Sequence, residues 1–229
     1  MIKKGCSFCK AVKFEEIFMD IEILEFSEAR VLGTIMEKSK TTPENYPLTI
    51  NSIVVGSNQK SNREPVSQLT QDNVVEALDS LKKKNLVWEV TISGSSRQPK
   101  YEEKISKYYQ LNEKQFAILS ILILRGAQTL GELKTRSTRY CSFEDLEDVE
   151  KTVLSLENHL EMELVSKLPL KPGNREFRYS QNLYEKRGEK EETIVERVEN
   201  EDLYNRIEIL ESELENLKSQ FNEFRKQFE

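Results

Sequence analysis

Histidine and tryptophan each occur once in 229 residues, and cysteine three times. The lone His159 stands between Asn158 and Leu160 at the end of an acidic helix, with no serine, cysteine or carboxylate constellation around it, so it reads as an exposed helix-end residue. Catalysis therefore has the least support, and the protein is expected not to be an enzyme. Cys6 and Cys9 form a C-x-x-C pair, but a zinc site needs about four ligands and only the distant Cys141 and His159 could add to them. No metal and no cofactor are expected. Neither G-x-x-x-x-G-K-S/T nor G-x-G-x-x-G occurs, which removes the common phosphate-loop signatures. Apolar runs are short as well: the longest candidate, 118–124, is broken by Ser120 and falls far below the roughly 18 residues of a spanning helix. With no signal-peptide pattern at the start, the chain is expected in the cytoplasm and off the membrane. The apolar fraction is 37% and the charged fraction 32%, against about 45–50% and 25% in an average chain. Two small domains plus a segment outside any packed core fit this balance.

The net charge of −6 is unevenly placed. Residues 185–229 carry 14 acidic and 8 basic side chains; of the 40 and 34 in the whole chain, 26 of each sign remain for residues 1–184. The globular part is neutral, so the overall sign does not argue against a local basic surface. Within the acidic segment Leu203, Ile207, Leu210, Leu214, Leu217, Phe221, Phe224 and Phe228 alternate at spacings of 4 and 3, the seam of a coiled coil. Asn200 falls one step earlier in that register, where a buried amide can set partner number. A helix over 203–229 that pairs two copies of the chain is expected; the alternative is docking of the stripe on the chain's own body. Residues 185–202 read as a charged linker.

Residues 21–184 repeat one plan twice. Ser27 is placed to cap a helix carrying Val31, Leu32, Ile35 and Met36, and Asn112 a helix carrying Phe116, Leu119, Leu122 and Ile123. A short helix follows in each half, over Ile50–Ser57 and from Leu130 to Arg136. Next comes a longer one, capped by Thr70 with Val74, Leu78 and Leu81, or opened by Ser142 with Leu146, Val149, Val153, Leu156 and Leu160. A hairpin pattern closes each half: 86–92 with 100–102, and 164–168 with 177–179, around glycine-containing loops. Three helices and a hairpin, twice, is the order of tandem winged helix-turn-helix domains, 21–107 and 108–184, in an α+β, mainly helical chain.

The wording Glu37-Lys38, Thr41-Thr42-Pro43-Glu44-Asn45-Tyr46-Pro47-Leu48-Thr49-Ile50-Asn51, then Asn58-Gln59-Lys60-Ser61-Asn62-Arg63-Glu64-Pro65-Val66, resembles the bacterial YceH-like family. Residues 124–133 and Pro172-Gly173-Asn174-Arg175-Glu176-Phe177-Arg178-Tyr179 resemble its second half. Asn45, Thr49 and Leu130 depart from the residues usual there. The resemblance implies two winged-helix domains and a helical tail, and leaves the biochemistry open. Residues 1–18 have no counterpart in it and Met19 sits where members tend to begin, so 1–20 is set apart as a start-site artefact or lineage-specific extension.

Double-stranded DNA is the partner this order of elements invites, with lysine and arginine neutralising phosphates around the later helix and the wing. The first domain offers Lys60 and Arg63 between its second and third helices, Lys82, Lys83 and Lys84 closing the third, and Arg97 with Lys100 on the wing. The second offers Lys171, Arg175 and Arg178 on its wing, with Arg136 and Arg139 before its long helix. Two of these groups have structural alternatives: the lysine run can answer a helix dipole, and Asn62-Arg63-Glu64-Pro65 can be a loop that caps and stops helices. Asp72, Glu76 and Asp79 on one long helix, and Glu144, Asp145, Glu147, Asp148 and Glu150 on the other, would repel phosphate. The competing class is a protein-interaction module in which the acidic helix faces an unidentified protein partner.

Overall fold

A computed structural model describes residues 23–90, 98–160, 162–170, 173, 175–184 and 218. The heptad positions Leu203, Ile207, Leu210, Leu214, Leu217, Phe221, Phe224 and Phe228, the linker and the N-terminal extension lie outside the described residues. The described chain is mostly helical with two small antiparallel sheets. Its elements run α1 (Phe26–Thr41), a 3-10 turn (Pro43–Asn45), α2 (Ile50–Ser57), α3 (Gln71–Lys83), β1 (Val87–Val90), β2 (Lys100–Glu103) and α4 (Ile105–Tyr108). They continue with α5 (Glu113–Arg125), α6 (Leu130–Ser137), α7 (Leu146–Glu157), β3 (Val165–Lys167) and β4 (Tyr179–Gln181).

Local chemistry explains most of the helix starts. Thr49, Thr70, Asn112 and Thr129 each hold an extended N-cap conformation and accept a hydrogen bond from the backbone N–H three residues on. Two starts differ from the sequence expectation. Glu25, not Ser27, is the N-cap of α1, because the Glu28 carboxylate accepts the Glu25 N–H at 2.7 Å and closes the turn before Ser27 is reached. In α7 the start moves from Ser142 to Leu146, since the Asp145 carboxylate accepts the Asp148 N–H at 2.8 Å. The second hairpin also shifts: β4 begins at Tyr179, so Phe177 and Arg178 precede the strand, and Lys167 pairs with Tyr179.

Each hairpin carries a third, single-residue rung. Leu48 exchanges two backbone bonds with Tyr101 at 3.0 and 2.8 Å, and Gln128 does the same with Tyr179 at 3.0 and 2.8 Å. Each rung lies two residues ahead of the second helix of its half, so α2 and α6 are tied to their hairpins in the same way.

The two halves share one contiguous core. α5 is apolar on nearly every side, and residues 115–124 are all buried, because it packs on α1 across the junction as well as on α6, α7 and β4 of its own half. Gly33 permits the close crossing: a Cβ there would lie 2.8 Å from Ile123 Cγ2 and 2.9 Å from Leu124 Cδ2. At the opposite edge the Leu24 N–H donates to the Leu183 carbonyl at 2.7 Å and the Tyr184 ring meets Phe26 edge-on, so the end of the second half is seated on the start of the first. No helix among the described residues is long and apolar enough to cross a membrane.

Candidate nucleic-acid interface and the junction beside it

The basic residues singled out from the sequence have different fates. Arg63 is buried, and its guanidinium is consumed inside the protein: Nη2 pairs with Glu37 Oε2 at 2.6 Å, Nε and Nη2 donate to the Gly56 carbonyl at 3.1 and 2.8 Å, and Nη1 donates to the Asn62 carbonyl at 2.9 Å. A phosphate contact from Arg63 does not fit this placement, because every nitrogen is already bonded and the side chain has no exposed surface. Lys82 pairs with Asp79 and Glu89, both at 2.9 Å, and the Asp79 bond leads the effects that raise its pKa. Lys84 reaches Glu28 at 2.9 Å and the Ile23 carbonyl at 3.0 Å. Arg178, still exposed, donates to the Ala127 carbonyl at 2.9 Å and lies 3.6 Å from Glu132. Lys60, Lys83 and Arg175 face solvent and Lys100 is half-buried, and none of these four is ion-paired among the described residues. Arg97 and Lys171 lie outside the described residues.

Around Arg63 the loop between α2 and α3 is bolted down. The Asn58 side chain accepts the Leu69 N–H at 2.7 Å and donates back to the Leu69 carbonyl at 2.8 Å, while Ser67 Oγ donates to the Ser57 carbonyl at 2.8 Å. The Glu64 N–H crosses to the Leu124 carbonyl of α5 at 2.9 Å. Asn62 takes the left-handed conformation, φ 62°, which asparagine tolerates, and its side-chain oxygen accepts from Arg125 at the end of α5. Burial leads the effects that lower the Arg125 pKa, with Arg136 and Arg63 acting in the same direction; burial also pushes the Tyr140 phenol up, aided by Glu37. Glu37, Asn62, Arg63, Arg125 and Tyr140 thus form one polar hub at the junction of the halves. Sequence reasoning named Asn62 and Arg63 in this hub and missed Glu37, Arg125 and Tyr140, whose hydrogen-bond partners lie 26, 63 and 20 residues away.

Arg30 is a second buried cation, 1% exposed. Its Nη2 donates to the Pro65 carbonyl at 2.7 Å and its guanidinium lies 5.2 Å from the Phe26 ring centroid, while Nε and Nη1 have no hydrogen-bond partner among the described residues. Desolvation first, and the charge of Arg63 with it, brings its pKa to about 10.

The outward faces of the long helices carry Asp72, Glu76 and Asp79 on α3, and Glu147, Glu150 and Lys151 on α7. On α7 they are interspersed with Leu146 and Leu154, which are 50% and 48% exposed. His159 is half-buried rather than exposed: its Nε2 lies 2.5 Å from the Tyr109 carbonyl, and Nδ1 lies 3.4 Å from the Gln115 amide nitrogen, which also donates to Ser155. A ring held this way is a tie between α5 and α7.

Comparison with known proteins places this arrangement. A family model described as "Protein of unknown function, DUF480" matches residues 24–174. A UPF0502 protein of Solibacter usitatus is 41% identical over 209 residues, covering 90% of this chain and 98% of the relative. A UPF0502 protein of Shewanella loihica is 41% identical over 206 residues, covering 86% and 95%. The UPF0502 protein YceH of Salmonella newport is 39% identical over 208 residues, covering 87% and 94%.

Proposed function

This chain belongs to the DUF480 family, and on that footing we propose that it is a non-enzymatic, cytoplasmic protein with two tandem winged helix-turn-helix domains that binds double-stranded DNA as a homodimer and regulates transcription. The observation that carries the reading is that four of the expected phosphate contacts have no ion pair among the described residues: Lys60 on the loop before α3, Lys83 at its end, and Lys100 and Arg175 in or beside the two hairpins. These are the positions from which a winged helix neutralises phosphates. The acidic fronts of α3 and α7 keep those helices from reading a major groove, so the contact is made by helix ends and wings. Pairing of two copies through 203–229 doubles the number of phosphate contacts.

The test is retardation of a DNA duplex through a salt series. Wild type is expected to lose affinity with a log–log slope of about −0.9 per phosphate contact. Replacing Lys83, Arg97 and Arg175 together by alanine abolishes retardation and leaves the melting temperature nearly unchanged; unaltered retardation overturns this placement of the site. A second reading, a protein-interaction module, is favoured by the exposed Leu146 and Leu154 on the acidic face of α7. Absence of any retardation at low salt decides for it.

A further inference from the structure

A groove of about 390 Å³ runs between the C-terminal turns of α1 and one flank of α2, a volume at the lower end of the roughly 300–1,000 Å³ typical of small-molecule sites. Lys38, Thr42, Leu48, Asn51, Val55 and Gln59 carry its chemistry. Leu48 forms an apolar floor and Val55 an apolar wall, 68% exposed. Lys38 brings the charge: it has no ion pair among the described residues, and no carboxylate lines the groove. Glu37, the neighbour of Lys38, is turned inward to Arg63, and Glu44 stands beside the groove, where its carboxylate accepts from the amide of the lining residue Asn45 at 3.3 Å. The one charge in the lining is therefore positive, which suits a negative group. Gln59 uses only its side-chain oxygen, accepting from Arg63 at 3.4 Å, so its amide N–H groups remain available; the Asn51 amide is exposed on the same flank. Side-chain amides present donor and acceptor side by side, the pattern that matches the edge of adenine. The walls are also preformed. A Cβ on Gly56 would lie 2.7 Å from Thr34 Cγ2, so α2 is seated directly on α1, and the Gly56 carbonyl is held by Arg63.

We propose that this groove is a binding site for a small phosphorylated molecule with a flat heterocyclic body, of the class of a purine nucleoside monophosphate. The phosphate is taken by Lys38, which suits it as a point charge, the ring lies against Leu48 and Val55, and the Asn51 and Gln59 amides read its edge. Occupancy has a route to the rest of the molecule. Lys38 follows Glu37 in sequence, and Gln59 itself touches Arg63; Asn62 beside Arg63 accepts from Arg125 of the second half. Ligand contact at Lys38 and Gln59 thus bears on the hub that joins the halves. The site stands independently of DNA binding.

Titration of the ¹⁵N-labelled full chain without DNA, using adenosine monophosphate, adenosine and inorganic phosphate as separate probes, tests it. Adenosine monophosphate is expected to shift the Asn51 and Gln59 side-chain amides saturably with Kd below about 1 mM, and the backbone amides of Leu124 and Arg125 move with them. Adenosine and phosphate alone each bind more weakly. Lys38→Gln weakens adenosine monophosphate about tenfold at an unchanged melting temperature, and Val55→Ser weakens it without touching the charge. No saturation up to about 10 mM, an unchanged affinity in Lys38→Gln, or phosphate binding as tightly as the nucleotide overturns the proposal. Shifts confined to the groove overturn its connection to the junction.

Discussion

The two halves of this protein are built to one plan and finished differently. Thr49 and Thr129 cap their second helices alike, with Ile53 and Leu133 buried four residues on, and Leu48–Tyr101 and Gln128–Tyr179 are matching rungs beside the hairpins. They part in the link between second and third helices. In the first half that link runs from Asn58 to Thr70, crosses to α5 and encloses a charged pair, Arg63 with Glu37. In the second half the link hangs from the Ser137 carbonyl, which accepts from Tyr140 and Cys141, and the interior polar tie is the chain Gln115, Ser155 and His159, which holds no carboxylate. The repeated plan comes from caps and apolar spacing inside each half, whereas the divergence comes from the demands of the junction, where the first half's link bonds to α5.

The comparison breaks most visibly at the charged pair. Arg63→Met or Glu37→Met alone strands a buried charge and costs about 3–5 kcal/mol in urea unfolding, and the double replacement recovers most of that loss. Removing the hydrogen-bonded tie of the second half by Gln115→Ala costs less, about 1–3 kcal/mol. Equal losses in the two halves would erase the distinction between them.

Glycine gives the next contrast. Gly33→Ala drives a methyl group into Ile123 and Leu124 at the helix crossing and is expected to cost about 1–3 kcal/mol. Gly131→Ala, at the start of α6, meets nothing closer than Thr129 Oγ1 at 4.0 Å and is expected to stabilise by about 0.5 kcal/mol through helix propensity. Paired thermal melts read both, and a neutral Gly33→Ala would mean that α1 and α5 can separate at no cost.

Smaller still is a difference in acid response. Burial pushes the Glu28 carboxyl up, but bonds from Ser80, Lys84 and the Glu25 N–H outweigh it, and the folded pKa lies below the ordinary 4.5. Its contribution is therefore present above pH 4.5 and is lost as the pH falls below it. Glu28→Gln flattens the acid limb of a stability–pH curve. The corresponding contact of the second half, Lys114 with Asp148 at 2.8 Å, also holds its carboxyl below the ordinary value but is more open to water, so Asp148→Asn flattens that limb less. Last, Leu154→Ser on the exposed face of α7 changes stability by less than about 0.5 kcal/mol.

The helices and their order were legible in the sequence because their causes are local. Thr70 and Asn112 bond to amides three residues away, and α2 begins and ends at Ile50 and Ser57 as the pattern predicts. Boundaries failed where two local groups compete: Glu25 over Ser27 with Glu28 as arbiter, and Asp145 over Ser142. The basic candidates divided on partners the sequence does not announce. Lys82, Lys83 and Lys84 are identical in composition, yet the first meets Asp79 and Glu89, the third meets Glu28, and only Lys83 stays without an ion pair among the described residues.

Charge placement, helical periodicity and the repeated plan were therefore set by the sequence alone, since each depends on residues within a few positions of one another. The tertiary structure decided that Arg63 is an internal strut, that Gly33 marks a helix crossing and that α5 is buried nearly all round because it packs on elements of both halves. Those outcomes depend on which surfaces meet across the junction, and the free energy of burying a guanidinium or admitting a close backbone is defined only once the opposing surface is in place.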